Sequence, residues 1–227
     1  MANVVLVHGL WVDGSSWRLV MRELMDRGHH VTAAQLPLTS LSDDVAAVRR
    51  VLAQQDGPVV LVGHSYGGAV ISAASHGAHA VSALVFVAAV ATGRGEAAET
   101  VLGRFAPSEG LGALVADAEG YLTMDRDRFP ALFAGDVPAR EAQVMAACQV
   151  PAAGACLAEP AGGAGWHERP SWYVLCTQDR TVTPQAQQAI ADRIGATVIT
   201  AEASHAVAIA RPAAVVEAIE CAALTWV

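Results

Sequence analysis

Gly63-His64-Ser65-Tyr66-Gly67 lies between the apolar run Val59-Val60-Leu61-Val62 and the small, apolar stretch Gly68-Ala69-Val70-Ile71. That context spells a buried strand, a sharp turn and a helix. A serine flanked by glycines two positions away on either side, in such a turn, is the pattern of a nucleophile elbow, which lifts a hydroxyl above the end of a sheet. The glycines have a steric reason. With the serine held in a sparsely populated backbone region, strand and helix approach too closely for side chains. The pentapeptide alone recurs by chance, so the rest of the chain has to carry the reading.

Up to Val90 the chain alternates strand-like and helix-like segments. Val4–Val7 is short and wholly apolar, as a parallel strand covered on both faces must be. Ser15 or Ser16 is placed to cap a helix with Trp17, Val20 and Leu24 on one face, and Gly28 stands where that helix ends. His30–Ala34 reads as a second strand. Ser42 is placed to cap a second helix, in which Leu41, Val45, Val48 and Leu52 recur at helical spacing. Gly57-Pro58 breaks it before the strand that leads to Ser65, and Val81–Val90 holds another buried strand. This rhythm predicts an α/β fold with a parallel, right-handed sheet.

The rhythm fails after Ala91. From Thr92 to Arg169 there are helix-like pieces, glycines and prolines without βα alternation, ending in Gly162-Gly163-Ala164-Gly165. The organisation expected is a core domain from 1–91 and 170–227, with 92–169 inserted as a helical cap that folds with it. Alternation resumes at Ser171–Cys176. A helix then starts at Thr183-Pro184, with proline at the first helical position. Thr197–Thr200 reads as the last strand, and Pro212 opens a helix bearing Val215, Val216 and Ile219.

Composition excludes several functions. At 227 residues the chain is long enough for one domain with a large core. Its formal charge of −8, with no Lys/Arg-rich stripe, disfavours nucleic acid as a partner. No apolar run reaches the length of a membrane span, and Met1-Ala2-Asn3 offers no basic leader, so a cytoplasmic location is expected. Cys148, Cys156, Cys176 and Cys221 form no C-x-x-C pair and no ligand cluster with histidine. They read as buried or inert thiols, and no metal or organic cofactor is implied.

Ser65 needs a base, since a free serine hydroxyl is a poor nucleophile at neutral pH. His205, in Ala203-Ser204-His205-Ala206, follows the last predicted strand at the sheet edge that carries the elbow. Asp179, just past the strand ending at Cys176, is the acid that would hold the imidazole in the right tautomer. Serine, aspartate and histidine each stand just beyond the carboxyl end of a predicted parallel strand. The oxyanion would be held by two backbone N–H groups, those of Tyr66 and of Leu10 on the loop after the first strand. His8 reads as structural, fixing that loop. Trp11 either lines the pocket or merely packs. His29, His30, His76, His79 and His167 read as exposed, and His64 as pointing sideways from the elbow.

At these residues the sequence resembles the α/β-hydrolase superfamily, and within it the small cofactor-free branch of bacterial esterases, plant methylesterases and hydroxynitrile lyases. The resemblance rests on Val5-Leu6-Val7-His8-Gly9-Leu10-Trp11, on Val60 through Gly68, on Thr177-Gln178-Asp179 with Pro184, and on Ser204-His205 with Arg211-Pro212. It spans nearly the whole chain except the cap. It implies the α/β-hydrolase fold, the triad Ser65, Asp179 and His205, and the Leu10 and Tyr66 amides. Some members place the acid after an earlier strand, where this chain has Glu96. The lyases look for a lysine directly after the histidine, and here that residue is Ala206.

The reading expected is therefore a serine carboxylesterase acting on a small, largely apolar ester, as a monomer or homodimer. Amidase, lactonase or perhydrolase chemistry with the same triad is the alternative, as is a non-catalytic ligand-binding protein on the same fold.

Overall fold

The computed structural model describes residues 1–224. Its first half runs β1 (Asn3–Val7), α1 (Arg18–Asp26), β2 (His30–Ala34), α2 (Leu41–Leu52), β3 (Val59–His64), α3 (Gly67–Ala74) and β4 (Val81–Val87). The insertion carries α4 (Ala98–Leu102), β5 (Leu114–Ala116), β6 (Tyr121–Met124), α5 (Phe129–Leu132), α6 (Ala139–Ala147), β7 (Ala152–Ala153) and α7 (Ala155–Ala158). The chain then returns through β8 (Ser171–Cys176), α8 (Pro184–Arg193), β9 (Thr197–Ala201), α9 (Val207–Ala210) and α10 (Pro212–Ala223).

Six strands form one parallel sheet in the order β2-β1-β3-β4-β8-β9. Alternation along the strands, interrupted by a register shift at the start of β4, sends side chains to opposite faces. Val5, Leu61, Leu84 and Tyr173 point to one face, where α2, α3 and α8 cover them. Val4, Val60, Val85 and Trp172 point to the other, beneath α1 and α10. Full burial of each such Val or Leu contributes roughly 1.5–3 kcal/mol, offset by the entropy of ordering the chain.

Local starts and stops differ from expectation in places. The cap of the first helical segment is Asp13, whose side chain accepts from the Ser15 amide, rather than Ser15 or Ser16. Likewise Ser40, not Ser42, caps α2, accepting from the Asp43 amide at 3.1 Å. A capping residue needs extended backbone, which Ser40 has, whereas Ser42 already lies within the helix. β4 ends at Val87 rather than Val90 because Ala88 turns to φ +46° and the Val90 amide crosses to the Ser65 carbonyl.

The insertion is helical only in part. β5, β6 and β7 form a separate antiparallel sheet. Its hairpin turns at Asp117, whose side chain accepts from the Glu119 and Tyr121 amides, and at Gly120 with φ +84°. Such short strands carry too little alternation to stand out in sequence. Phe129, Leu132, Ala142 and Cys156 of the insertion share one buried cluster with Val5, Val7 and Leu61 of the sheet, so the cap has no core of its own. All four cysteines are free; Cys156 and Cys176 are buried, and Cys148 and Cys221 are exposed. Among the described residues no helix is long and apolar enough to cross a membrane.

Candidate active site

Ser65 terminates β3 with φ +54°, a conformation that costs a non-glycine residue about 1–3 kcal/mol. Its neighbours hold it there. The Ser65 amide donates to the Val87 carbonyl at 3.0 Å, and its own carbonyl accepts from Gly68 and Val90. A Cβ on Gly63 would stand 2.5 Å from the Gly67 oxygen, and one on Gly67 would stand 2.6 Å from the Val7 oxygen. Strand, helix and the loop after β1 are thus in backbone contact, as the elbow glycines predict.

That loop runs directly against the candidate nucleophile, since a Cβ on Gly9 would lie 2.8 Å from the Ser65 Cβ. Leu10, Trp11, Ser65 and Tyr66 line one small cavity. Leu10 and Tyr66 are both buried, yet neither backbone N–H donates to any group among the described residues. Unpaired buried amides are rare in proteins, and two at one cavity make a pair of donors for a negatively charged oxygen.

Asp179 and His205 are brought together at the ends of β8 and β9. His205 Nδ1 meets Asp179 Oδ2 at 2.6 Å, with both side chains fully buried. Asp179 also accepts from the Thr181 amide at 2.7 Å, the Val182 amide at 3.0 Å and Gln187 Nε2 at 2.9 Å. With its Nδ1 proton committed to a carboxylate, the neutral imidazole presents a lone pair at Nε2. That Nε2 is buried with no hydrogen-bond partner among the described residues. Among the described residues the Ser65 hydroxyl makes no hydrogen bond either; in unliganded sites such contacts are often long and tighten only with substrate. Thr181 and Val182, whose amides hold Asp179, line the same cavity as Ser65.

The other histidines sort by partner. His64 donates through Nε2 to the His205 carbonyl at 2.9 Å, its ring 4.7 Å from that of His205. Burial first, then the neighbouring His205, holds its pKa well below the ordinary value, so it is a neutral donor. His8 bridges the Gly9 carbonyl and the Leu36 amide at 2.9 and 3.0 Å and, kept neutral by burial, fixes the loop as expected. His30, His76, His79 and His167 are exposed, whereas His29 is buried, against expectation, with Nε2 on Glu220. Trp11 is not confined to packing. It lines the cavity, and its indole N–H donates to the Leu122 carbonyl of β6 at 3.1 Å.

Glu96, the rival acid, is engaged elsewhere by Arg104 at 2.5 Å and Arg193 at 2.7 Å. Partial burial opposes its ionisation, but hydrogen bonds from Arg104, Gly93 and Arg193 outweigh that and bring its pKa down to about 2.

Several supporting residues carry no local signal. Gln187 orients the Asp179 carboxylate from α8. From the cap, Asp136 accepts both the amide (3.0 Å) and the hydroxyl of Ser204, Phe133 accepts the Ala206 amide at 3.0 Å, and the Phe133 ring meets His205 edge-on at 4.8 Å. Asp44 could have been found. It occupies the same apolar face of α2 as Leu41 and Val48, an odd place for a carboxylate, and there it receives the Tyr66 hydroxyl at 2.7 Å and the Leu38 amide at 2.9 Å. Burial raises its pKa despite these donors. Among the described residues no group of three or more His, Cys, Asp or Glu side chains is arranged to hold a metal ion.

Comparison with known proteins agrees with this architecture. The model of the alpha/beta hydrolase family matches residues 4–218. The chain is 25% identical over 242 residues to the alpha/beta hydrolase nvfD of Aspergillus novofumigatus, covering 97% of this chain and 96% of that protein. It is 32% identical over 124 residues to a carbendazim hydrolyzing esterase of Nocardioides sp., covering 48% of this chain and 50% of the esterase. Its fold superposes on the crystal structure of the methylesterase MES16 from Arabidopsis with a TM-score of 0.81, at 16% identity over 98% of this chain and 99% of that one. With a family match over almost its entire length, the chain is a member of the alpha/beta hydrolase family.

Proposed function

We propose that the chain is a serine carboxylesterase with Ser65 as nucleophile, His205 as general base and acid, and Asp179 as the orienting carboxylate. One observation carries the reading. A buried imidazole has one nitrogen fixed by a multiply hydrogen-bonded carboxylate and the other left without a partner, and the carbonyl of the same residue is bonded to His64, which precedes Ser65 in the strained turn. The hydrolase family match and the esterases among the relatives support the same chemistry.

In the first half-reaction His205 Nε2 takes the Ser65 proton as Oγ bonds to the ester carbonyl carbon. The carbonyl oxygen becomes an oxyanion held by the Leu10 and Tyr66 amides. The bond to the leaving alkoxide breaks, and the imidazolium returns its proton to it, releasing the alcohol and leaving an acyl-serine. Water, deprotonated by the same nitrogen, then attacks the acyl carbon and frees the acid. Asp179 remains ionised and stabilises the imidazolium in both halves. The walls around Ser65 are apolar, which suits an uncharged ester, and amides, lactones and perhydrolysis would draw on the same groups.

The test is labelling with a fluorophosphonate alongside ester hydrolysis. Wild type is expected to be modified at Ser65, and Ser65→Ala to lose turnover by about three orders of magnitude or more while remaining folded. An unlabelled wild type with no esterase activity would instead favour a ligand-binding protein on the same scaffold.

A further inference from the structure

Two spaces meet at the site, and they differ greatly in size. The inner cavity, over Ser65, has a volume of about 20 Å3. That is room for about one water molecule, and no ester fits. The outer one is a cleft of about 540 Å3 open to solvent, within the range of about 300–1,000 Å3 that small-molecule sites occupy. Leu102, Leu111, Leu157, Thr181 and Val182 line both, so the wall between them is a single layer of side chains. The three leucines come from different parts of the cap: α4, the short turn before β5, and α7. All three are only half-buried and pack against the margin of the core rather than within it. Phe105, Pro107 and Leu114 add apolar surface to the outer cleft, and Glu99 is the one ionisable residue that lines it.

We infer that the outer cleft is the subsite for an apolar arm of a neutral ester, and that Leu102, Leu111 and Leu157 form the gate that sets how large an arm reaches Ser65. This rests on the esterase reading above. An apolar arm in such a cleft gains roughly a factor of four in binding for each methylene buried. A carboxylate-bearing arm gains nothing comparable, because it would lose hydration and meet Glu99 with no cation among the lining residues. The closed inner cavity requires the leucine side chains to part as the arm enters, which seals the reacting carbonyl from water once they close behind it.

Two homologous ester series test the assignment, one lengthening the acyl chain from acetate to octanoate on p-nitrophenol, the other lengthening the alcohol of an acetate from methyl to octyl. In wild type, kcat/KM is expected to rise with length along at least one series. Leu157→Ala thins the gate and should raise the long-to-short ratio in that series at least about fivefold. Gly112→Phe should lower it at least about fivefold. Gly112 is exposed on the cleft wall, its φ suits any residue, and a Cβ there meets nothing within 4 Å, so the bulk is added without strain on the backbone. In the responding series, replacing the terminal methyl by a carboxylate should abolish the gain from length, and Glu99→Gln should restore at least a fewfold of it. Ratios unchanged by both Leu157→Ala and Gly112→Phe, in both series, would overturn the gate and cleft while leaving the esterase intact. Undiminished hydrolysis of the short esters by Ser65→Ala would sink the Ser65 mechanism on which the assignment rests, whatever the ratios do.

Discussion

Around Ser65 the constraints are steric, at the backbone: Gly63 on Gly67, Gly67 on Val7, and Gly9 on the His64 carbonyl and the Ser65 Cβ, with the turn pinned by main-chain hydrogen bonds to Val87 and Val90. Around His205 and Asp179 they are side-chain hydrogen bonds from far along the chain. Gln187 and the Thr181 and Val182 amides hold the acid; His64, Asp136 and Phe133 hold the histidine loop. Part of this second set belongs to the insertion, so the cap is a structural member of the site as well as its roof. Ser65, the proposed nucleophile, is positioned by what cannot fit anywhere else. The proposed acid–base pair is positioned by what happens to be bonded to it, and each bond can be removed singly.

Three experiments would break or sharpen that contrast. The largest effect is expected from a graded carboxylate series. Asp179→Asn should lower kcat by about four orders of magnitude, as loss of the correct tautomer does. Asp136→Ala, one bond further out, should cost about tenfold in kcat with little change in KM, since it frees the Ser204 backbone rather than the imidazole. Glu96→Gln should stay near wild type in turnover. Steady-state kinetics on one neutral ester ranks the three, and an Asp136→Ala enzyme indistinguishable from wild type would remove the cap from the positioning of His205.

Next in size is a stability effect on the steric side. Gly67→Ala sets a methyl 2.6 and 2.7 Å from the Val7 and His8 oxygens, main-chain atoms that cannot step aside. A loss of about 3 kcal/mol is expected, or roughly 6–12 °C in Tm for a domain of this size. Gly112→Ala, with nothing near its Cβ, should be neutral. Equal melting temperatures for the two variants would refute the steric account.

The smallest effect is a pH dependence on the polar side. The native pKa of His64 is depressed well below 6.5 by burial. Below about pH 6.5 the unfolded chain therefore binds a proton that the native state refuses, and stability falls as the pH falls. The slope from this one group is at most about 1.4 kcal/mol per pH unit, and it ends where the native ring titrates. Urea unfolding from pH 7.5 to 5.5 should be less steeply pH-dependent for His64→Gln, whose amide can still donate to the His205 carbonyl. A dependence as steep as wild type's would assign the acid sensitivity elsewhere, with the buried His8 the next candidate.

The same division explains what could be read without coordinates. Glycines at 63 and 67, a proline at 184 and wholly apolar strands at 4–7 and 59–62 are local signals with one cheap structural solution, and the sheet and elbow follow them. Asp179 and His205 were legible through their position after strands. Their supports were not, because nothing in the segment around Asp136 or Gln187 says which loop it will meet. The hairpin of β5 and β6 was missed for a related reason, its strands being too short for alternation to separate them from a helix turn. Ser40 and Ser42 show the finer limit: two serines in a row of candidates, separated only by which one keeps an extended backbone.

One further consequence follows from the pairing of β4 with β8. Residues 88–170 lie between them, so during synthesis the apolar edge of β4 waits for a partner that has not yet been made. At about 5–20 residues per second, that wait lasts several seconds to more than ten. Through it, the Leu84 and Ala88 amides, which later donate to the Pro170 and Val174 carbonyls, stand on an unpaired strand edge, a template for pairing with a neighbouring chain. The insertion that roofs the finished site is thus also the interval in which a nascent chain is most exposed to aggregation.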